Sequence, residues 1–185
     1  MDNALLQAVA NRGRPPDAFI MEMVTALQGL PLDVFAPNNR FDVYDTVHDE
    51  LGPYVDLEHR RACMAEVLRV LAGFESSWQW NCGVDHNNPA SVRPETQEAG
   101  AWQVSCDSRW FGPDLKTLAP ADGVEFQRVM KADHRLATEY IARLLRWTTR
   151  HNGPVARLEI NPWLRRNAVA TFQFLLTTPD ILDAH

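Results

Sequence analysis

The feature that most constrains this chain is the run from Asp56 to Ser76, "DLEHRRACMAEVLRVLAGFES". Leu57, Cys63 or Met64, Val67, Leu68 and Leu71 recur with the period of an α-helix, and Asp56 supplies an N-cap for a helix that begins at Leu57. A helix of that length has to bury its apolar face against other helices, so the fold is expected to be mainly α. The same pattern places Glu75 in the last helical turn, among Leu71, Phe74, Trp78 and Trp80. An ionised carboxylate is disfavoured there for two reasons. It meets the negative end of the helix dipole, and its apolar neighbours exclude water. A carboxylic acid still protonated near neutral pH is a proton donor suited to a glycosidic oxygen.

The remaining segments extend the helical reading. Pro15-Pro16-Asp17 opens a short helix through "AFIMEMVTALQGL", with Phe19, Met23, Ala26 and Leu27 on one face and Gly29 near its end. Residues 31–55 read as loop and short turns. Residues 79–122 are rich in Gly, Pro, Asn, Asp and Ser and read as a long excursion with room for a small hairpin. Asp122-Gly123 opens what the pattern makes the longest helix, with Val124, Val129, Leu136, Tyr140, Ile141, Leu144 and Leu145 as its stripe. It is predicted to stop at "RHNGP", with Gly153 left-handed and Pro154 blocking continuation. Asn161-Pro162 is the predicted start of the last helix, which buries Val169, Phe172 and Leu176. The 185 residues fit one domain: an N-terminal helical extension over 1–55 and a core over 56–178.

Charge and cysteine usage narrow the function classes. A net charge of −6 and a pI near 5.5 argue against a nucleic-acid partner held by a basic surface. No apolar run approaches the ~20 residues that span a bilayer, so no membrane insertion is expected. The N-terminal sequence lacks the basic start and apolar stretch of a secretory signal, so synthesis in the cytoplasm is expected, with any exit by a route that does not read such a signal. Of the three cysteines, Cys63 falls on the apolar helical face. Cys82 and Cys106 lie in the loop-rich middle, and a bond between them would close a loop of about 25 residues and contribute roughly 3 kcal/mol. Two reduced thiols are the equal alternative. The histidines are scattered without ligand spacing, so neither a metal nor another cofactor is predicted.

Downstream of Glu75-Ser76 come Gly100-Ala101-Trp102-Gln103 and then Arg150-His151-Asn152. In that order the three pieces resemble the lysozyme-like superfamily. Its goose-type lysozymes and lytic transglycosylases carry Glu-Ser at a helix end, then Gly-Leu-Met/Phe-Gln, then Ala-Tyr-Asn. The resemblance covers roughly residues 56–178 and implies helices around a cleft, with a loop-rich or small β-hairpin insertion. It implies Glu75 as general acid, Gln103 and Asn152 as groups that hold the sugar or brace the acid, and Ser76 and Trp102 as further substrate contacts, Trp102 offering an aromatic face. Plain packing for Trp102, and capping or turn roles for Gln103 and Asn152, compete with these. Two departures, Ala101-Trp102 for Leu-Met/Phe and His151 for Tyr, separate the chain from ordinary lytic transglycosylases. His151 also has a plain reading as a histidine favoured by the dipole in a last helical turn.

Glycoside hydrolysis ordinarily needs a second carboxylate. Glu98 is preferred because it closely precedes the Gly100–Gln103 motif, with Glu95, Asp85 and Asp107 as alternatives and the substrate's own acetamido group as a further one. The superfamily's polymer is a β-1,4-linked amino-sugar chain, peptidoglycan or chitin. An acidic protein with no signal is similar to the type VI secretion peptidoglycan glycoside hydrolase effectors, which are injected into a neighbour's periplasm and blocked by a cognate immunity protein. Either an N-acetylglucosaminidase or a muramidase fits. A phage-type endolysin, a lytic transglycosylase, a non-catalytic glycan-binding domain and a helical interaction module are the alternatives.

Overall fold

The computed structural model describes residues 3–83 and 91–178. It is mainly helical: α1 (Asp17–Gln28), α2 (Val43–Thr46), α3 (His48–Leu51), α4 (Leu57–Ser76), then a two-stranded antiparallel hairpin of β1 (Glu98–Ala99) and β2 (Val104–Ser105), and α5 (Pro113–Leu118), α6 (Gly123–Ala132), α7 (His134–Trp147), α8 (Gly153–Ala156) and α9 (Arg166–Thr177). Single 3-10 turns cover Leu32–Phe35, Cys106–Phe111 and Asn161–Trp163.

Helix α4 organises the molecule. The Asp56 carboxylate accepts from the His59 N–H at 2.7 Å and caps it, and the helix runs for 20 residues to Ser76. It is buried on nearly every side, with α9, α1 and the 3-10 turn Leu32–Phe35 packed on it. Its buried charges therefore need partners inside the protein. Arg60 lies over the Tyr44 ring, 3.7 Å from its centroid, and donates to the Phe35 carbonyl at 2.5 Å. Arg61 pairs with Glu58 and donates to the Leu176 carbonyl. Arg69 pairs with Glu66.

The N-terminal residues are built into the core rather than appended to it. Leu5, Val9, Phe19, Ile20, Met23, Val24, Leu27, Phe35 and Val43 belong to the same buried apolar cluster as the residues of α4, α7 and α9. Arg146 of α7 adds a polar tie, because it pairs with buried Asp42 and donates to the Val34 and Ala36 carbonyls.

Three local expectations give way to end-group chemistry. The predicted long helix from Asp122 is two helices, because Asp133 leaves helical geometry and its carboxylate caps α7 by accepting from the Leu136 N–H at 2.9 Å. Val124 is 63% exposed, and Phe126 and Met130 carry the buried face of α6. Helix α7 ends at Trp147, and Gly153 begins α8 instead of closing a helix in a left-handed conformation. Asn161-Pro162 makes only the 3-10 turn, and α9 starts at Arg166. Among the described residues, no helix is long and apolar enough to cross a membrane.

Candidate active site around Glu75

Helix α4 stops where Ser77 and Trp78 turn into the left-handed region, at φ 53° and 61°. The Ser77 and Trp78 N–H groups close back on the Gly73 and Ala72 carbonyls. Trp78 folds beneath the helix end, where it is 4% exposed and its indole N–H donates to the Arg69 carbonyl at 2.8 Å. Gly73 makes room for it: a Cβ there would lie 2.8 Å from the indole ring. The tryptophan fills the space against Gly73, and Glu75 in the same last turn is half-buried.

The hairpin is tied to this turn by the three sequence motifs. The Ser76 hydroxyl donates to the Ala101 carbonyl at 2.8 Å and accepts from the Gln79 N–H at 3.0 Å. Gln103, itself at φ 46°, donates its side-chain amide to the Gly100 carbonyl at 3.0 Å. Asn152, 1% exposed, reaches the Trp102 carbonyl at 3.4 Å. The residues expected to act together therefore converge on one four-residue turn, Gly100–Gln103. Gly100 has φ 78° and sits against the Met130 carbonyl, where a Cβ would lie 2.7 Å away. Gly100→Ala is expected to cost about 2 kcal/mol, read as a lowered denaturation midpoint, because the turn can relax only by leaving α6.

Two expected substrate contacts are corrected. Trp102 is 1% exposed, donates its indole N–H to the Leu68 carbonyl at 2.9 Å and packs edge-on against Trp80, so it is core and offers no face to a sugar. The Ser76 hydroxyl is occupied inside the protein and positions the hairpin. Gln103 is 8% exposed, and its amide group braces its own turn. The disulfide is absent: Cys82 and Cys106 are both free thiols. The Cys106 thiol turns toward the Ala121 carbonyl at 3.3 Å, whereas Cys82 lies beside its own Gly83 carbonyl.

The electrostatics of Glu75 follow from this packing. Burial, and next the charge of Glu98, push its carboxyl up to about 8; Glu159 adds to the rise, and Arg157 and Arg12 oppose it. Its position at the C-terminal end of α4 acts in the same direction as burial. Among the described residues, no group hydrogen-bonds or ion-pairs the Glu75 carboxyl.

Of the second carboxylates considered, Glu98 is the one whose charge acts on Glu75. It is half-buried on β1 opposite Ser105. Asp107 pairs with Arg93 at 3.5 Å, and Glu95 and Asp107 both act on Cys106 instead. Asp85 lies outside the described residues. His151 is not in a last helical turn: burial holds its imidazole down to about 4, so it is neutral, and its ring lies edge-on to Phe111. The Nε2 of His151 and the Oδ1 of Asn152 are buried without a hydrogen-bond partner among the described residues.

Arg157, Glu159 and Arg12 are the site residues that sequence reasoning missed. Arg157 and Glu159 pair at 2.7 Å just beyond α8, with Leu158 between them at φ 58°. Among the described residues, the non-glycine residues at positive φ are Ala10 (two residues before Arg12), Ser77 and Trp78 at the end of α4, Gln103 in the hairpin turn, and Leu158 between Arg157 and Glu159. Each costs on the order of 1 kcal/mol, and such strain concentrates at functional sites.

Depressions of about 260 and 170 Å³ lie elsewhere, the first lined by Asp33, Asn38, Asp114, Arg143 and Trp147 among others, the second by Asp42, Tyr44, His48, Tyr54 and Arg60 among others. Among the described residues, no three His, Cys, Asp or Glu side chains assemble as a metal cluster. No protein-family model matches the chain, and no curated protein and no solved structure matches it.

Proposed function

We propose that the protein is a glycoside hydrolase that cuts the β-1,4-linked glycan backbone of peptidoglycan, with Glu75 as general acid and Glu98 as general base. The observation that carries this reading is the Glu75 carboxyl itself. It is half-buried, uncommitted among the described residues and held protonated to about pH 8, on a strained helix end where three separated sequence segments meet.

In the reaction, the Glu75 proton passes to the glycosidic oxygen as the bond from that oxygen to the anomeric carbon breaks. A water attacks the same carbon and gives its proton to Glu98. Glu98 also has a second effect, because its negative charge keeps the proton on Glu75 at higher pH. A glycan-binding domain without catalysis would gain nothing from an acid left unpaired at this position. Delivery as a type VI secretion effector into a target periplasm, with a cognate immunity protein occluding the site, belongs to the same proposal and rests on the resemblance described above.

Incubation with purified peptidoglycan, followed by mass analysis of the released fragments, tests the reading. New reducing ends support hydrolysis, and the sugar at that end identifies glucosaminidase or muramidase cleavage. Anhydro ends would replace hydrolysis by transglycosylation, and no fragments at all would remove the enzyme.

The pH profile tests the pairing of roles. In the wild type, kcat/KM is expected to fall above about pH 8, as Glu75 loses its proton. In Glu98→Gln the negative charge that raises the acid is gone. Residual activity should therefore fall at lower pH than in the wild type, in addition to the loss of the base. An unmoved alkaline limb would separate Glu98 from the acid.

A further inference from the structure

The 3-10 turn Cys106–Phe111 leaves β2 directly and carries two adjacent exposed aromatics, Trp110 at 72% and Phe111 at 45%. Tryptophan is rarely left so open, because its burial is worth more than that of almost any other side chain. Lys116 of α5 holds its ammonium over the Trp110 ring, 4.0 Å from the centroid. Arg109 donates to the Lys116 carbonyl at 2.7 Å, which fixes the turn against α5, and its Nε is buried without a partner among the described residues. The nearby carboxylates are engaged elsewhere: Asp107 with Arg93, and Asp114 with Arg143 and the Trp147 indole N–H. Lys116 and Arg109 thus remain cations without a carboxylate partner among the described residues, on a protein whose net charge is −6. Phe111 also meets His151, the residue before Asn152.

We infer that Trp110, Phe111 and Lys116 form a docking subsite for an anionic amino-sugar polymer, peptidoglycan with its peptide carboxylates. The indole takes the C–H face of a sugar ring, and Lys116 takes a carboxylate carried on the strand. The inference rests on the hydrolase reading above and deepens it. It also explains how an acidic protein holds an anionic polymer: the attraction is local, and the repulsion from the rest of the surface is screened beyond about 10 Å.

The test is co-sedimentation of the full chain, in the Glu75→Gln background, with purified peptidoglycan sacculi at low salt. Trp110→Ala and Lys116→Glu are each expected to weaken binding about tenfold, and the effect of Lys116→Glu should shrink in high salt. Arg14→Glu, the same charge change at an exposed site outside the patch, is expected to bind as the parent does. Both test positions are exposed, and unchanged thermal melts of the variants verify the fold. Equal binding by the parent and both variants overturns the inference, as does an equal loss in Arg14→Glu, which would assign the effect to net charge. Fragment release by the wild type with binding intact in both variants removes the subsite and leaves the hydrolase. Binding lost in both variants of a protein that releases no fragments removes the hydrolase and leaves the subsite.

Discussion

Glu75→Gln is expected to abolish turnover and to make the protein more stable in alkaline solution. Loss of a general acid costs at least ~10²-fold in rate, and glutamine keeps the shape of the protonated acid while lacking the proton to give. The stability effect has a definite sign. In the folded protein the carboxyl holds its proton up to about pH 8, against an ordinary value of 4.5. Below the ordinary value both folded and unfolded chains are protonated and the site contributes nothing. Between the two values the unfolded chain is ionised while the folded one retains its proton, so stability falls as pH rises. Above the folded value the full penalty applies. Glutamine never incurs it. The variant should therefore melt with the wild type near pH 4 and above it near pH 9, by on the order of 2 kcal/mol once solvent screening of a partly exposed group is allowed for. Melts that coincide at both pH values would mean that Glu75 is ordinarily hydrated, and the proposed acid would lose its physical basis. Retained turnover in a variant that shows the stability change would assign the strained, desolvated site to something other than proton donation.

What the sequence makes legible follows from how local each signal is. Helices α1 and α4 are announced by their own residues: Pro16 before one, the Asp56 cap before the other, and an apolar period through both. The hairpin is visible as a break in composition, and Glu75 is visible because the helix end and its aromatic neighbours share one short segment. The break at Asp133 has a local signal too, a capping residue, but the continuous apolar stripe on either side hides it. Trp102 misleads for a different reason. An aromatic beside a glycine turn reads equally as platform or core, and only the approach of Leu68 and Trp80 decides for core. Arg157, Glu159 and Arg12 carry no pattern at all, because their field reaches Glu75 only after α8 and the N-terminal turn have folded back. The left-handed backbone at Ser77, Trp78, Gln103 and Leu158 is equally silent, since none of these residues is a glycine that would advertise it.

The buried charges of α4 were invisible for the same reason, and they support the second large effect. Glu66 and Arg69 are both fully buried and meet through two hydrogen bonds, at 2.7 and 2.8 Å. Glu66 also accepts from the Arg165 N–H at 2.9 Å, and Arg69 donates to the Gln7 carbonyl at 3.1 Å. The pair thus ties α4 to the N-terminal turn and to the approach to α9. Burial pushes the Glu66 carboxyl up, against the pull of Arg69 and the Arg165 N–H. Glu66→Gln would leave the guanidinium buried with no counter-charge, so a loss of 3–5 kcal/mol is expected, roughly 10 °C in Tm for a chain of this size. Replacing both residues by methionine should cost less than the two single changes added together, because no charge is then left behind. The Arg69 carbonyl also holds the indole N–H of Trp78, so the change reaches the turn that closes α4. Denaturant titration of the single and double variants measures the effect. A Glu66→Gln loss below about 1 kcal/mol would mean that water reaches the pair.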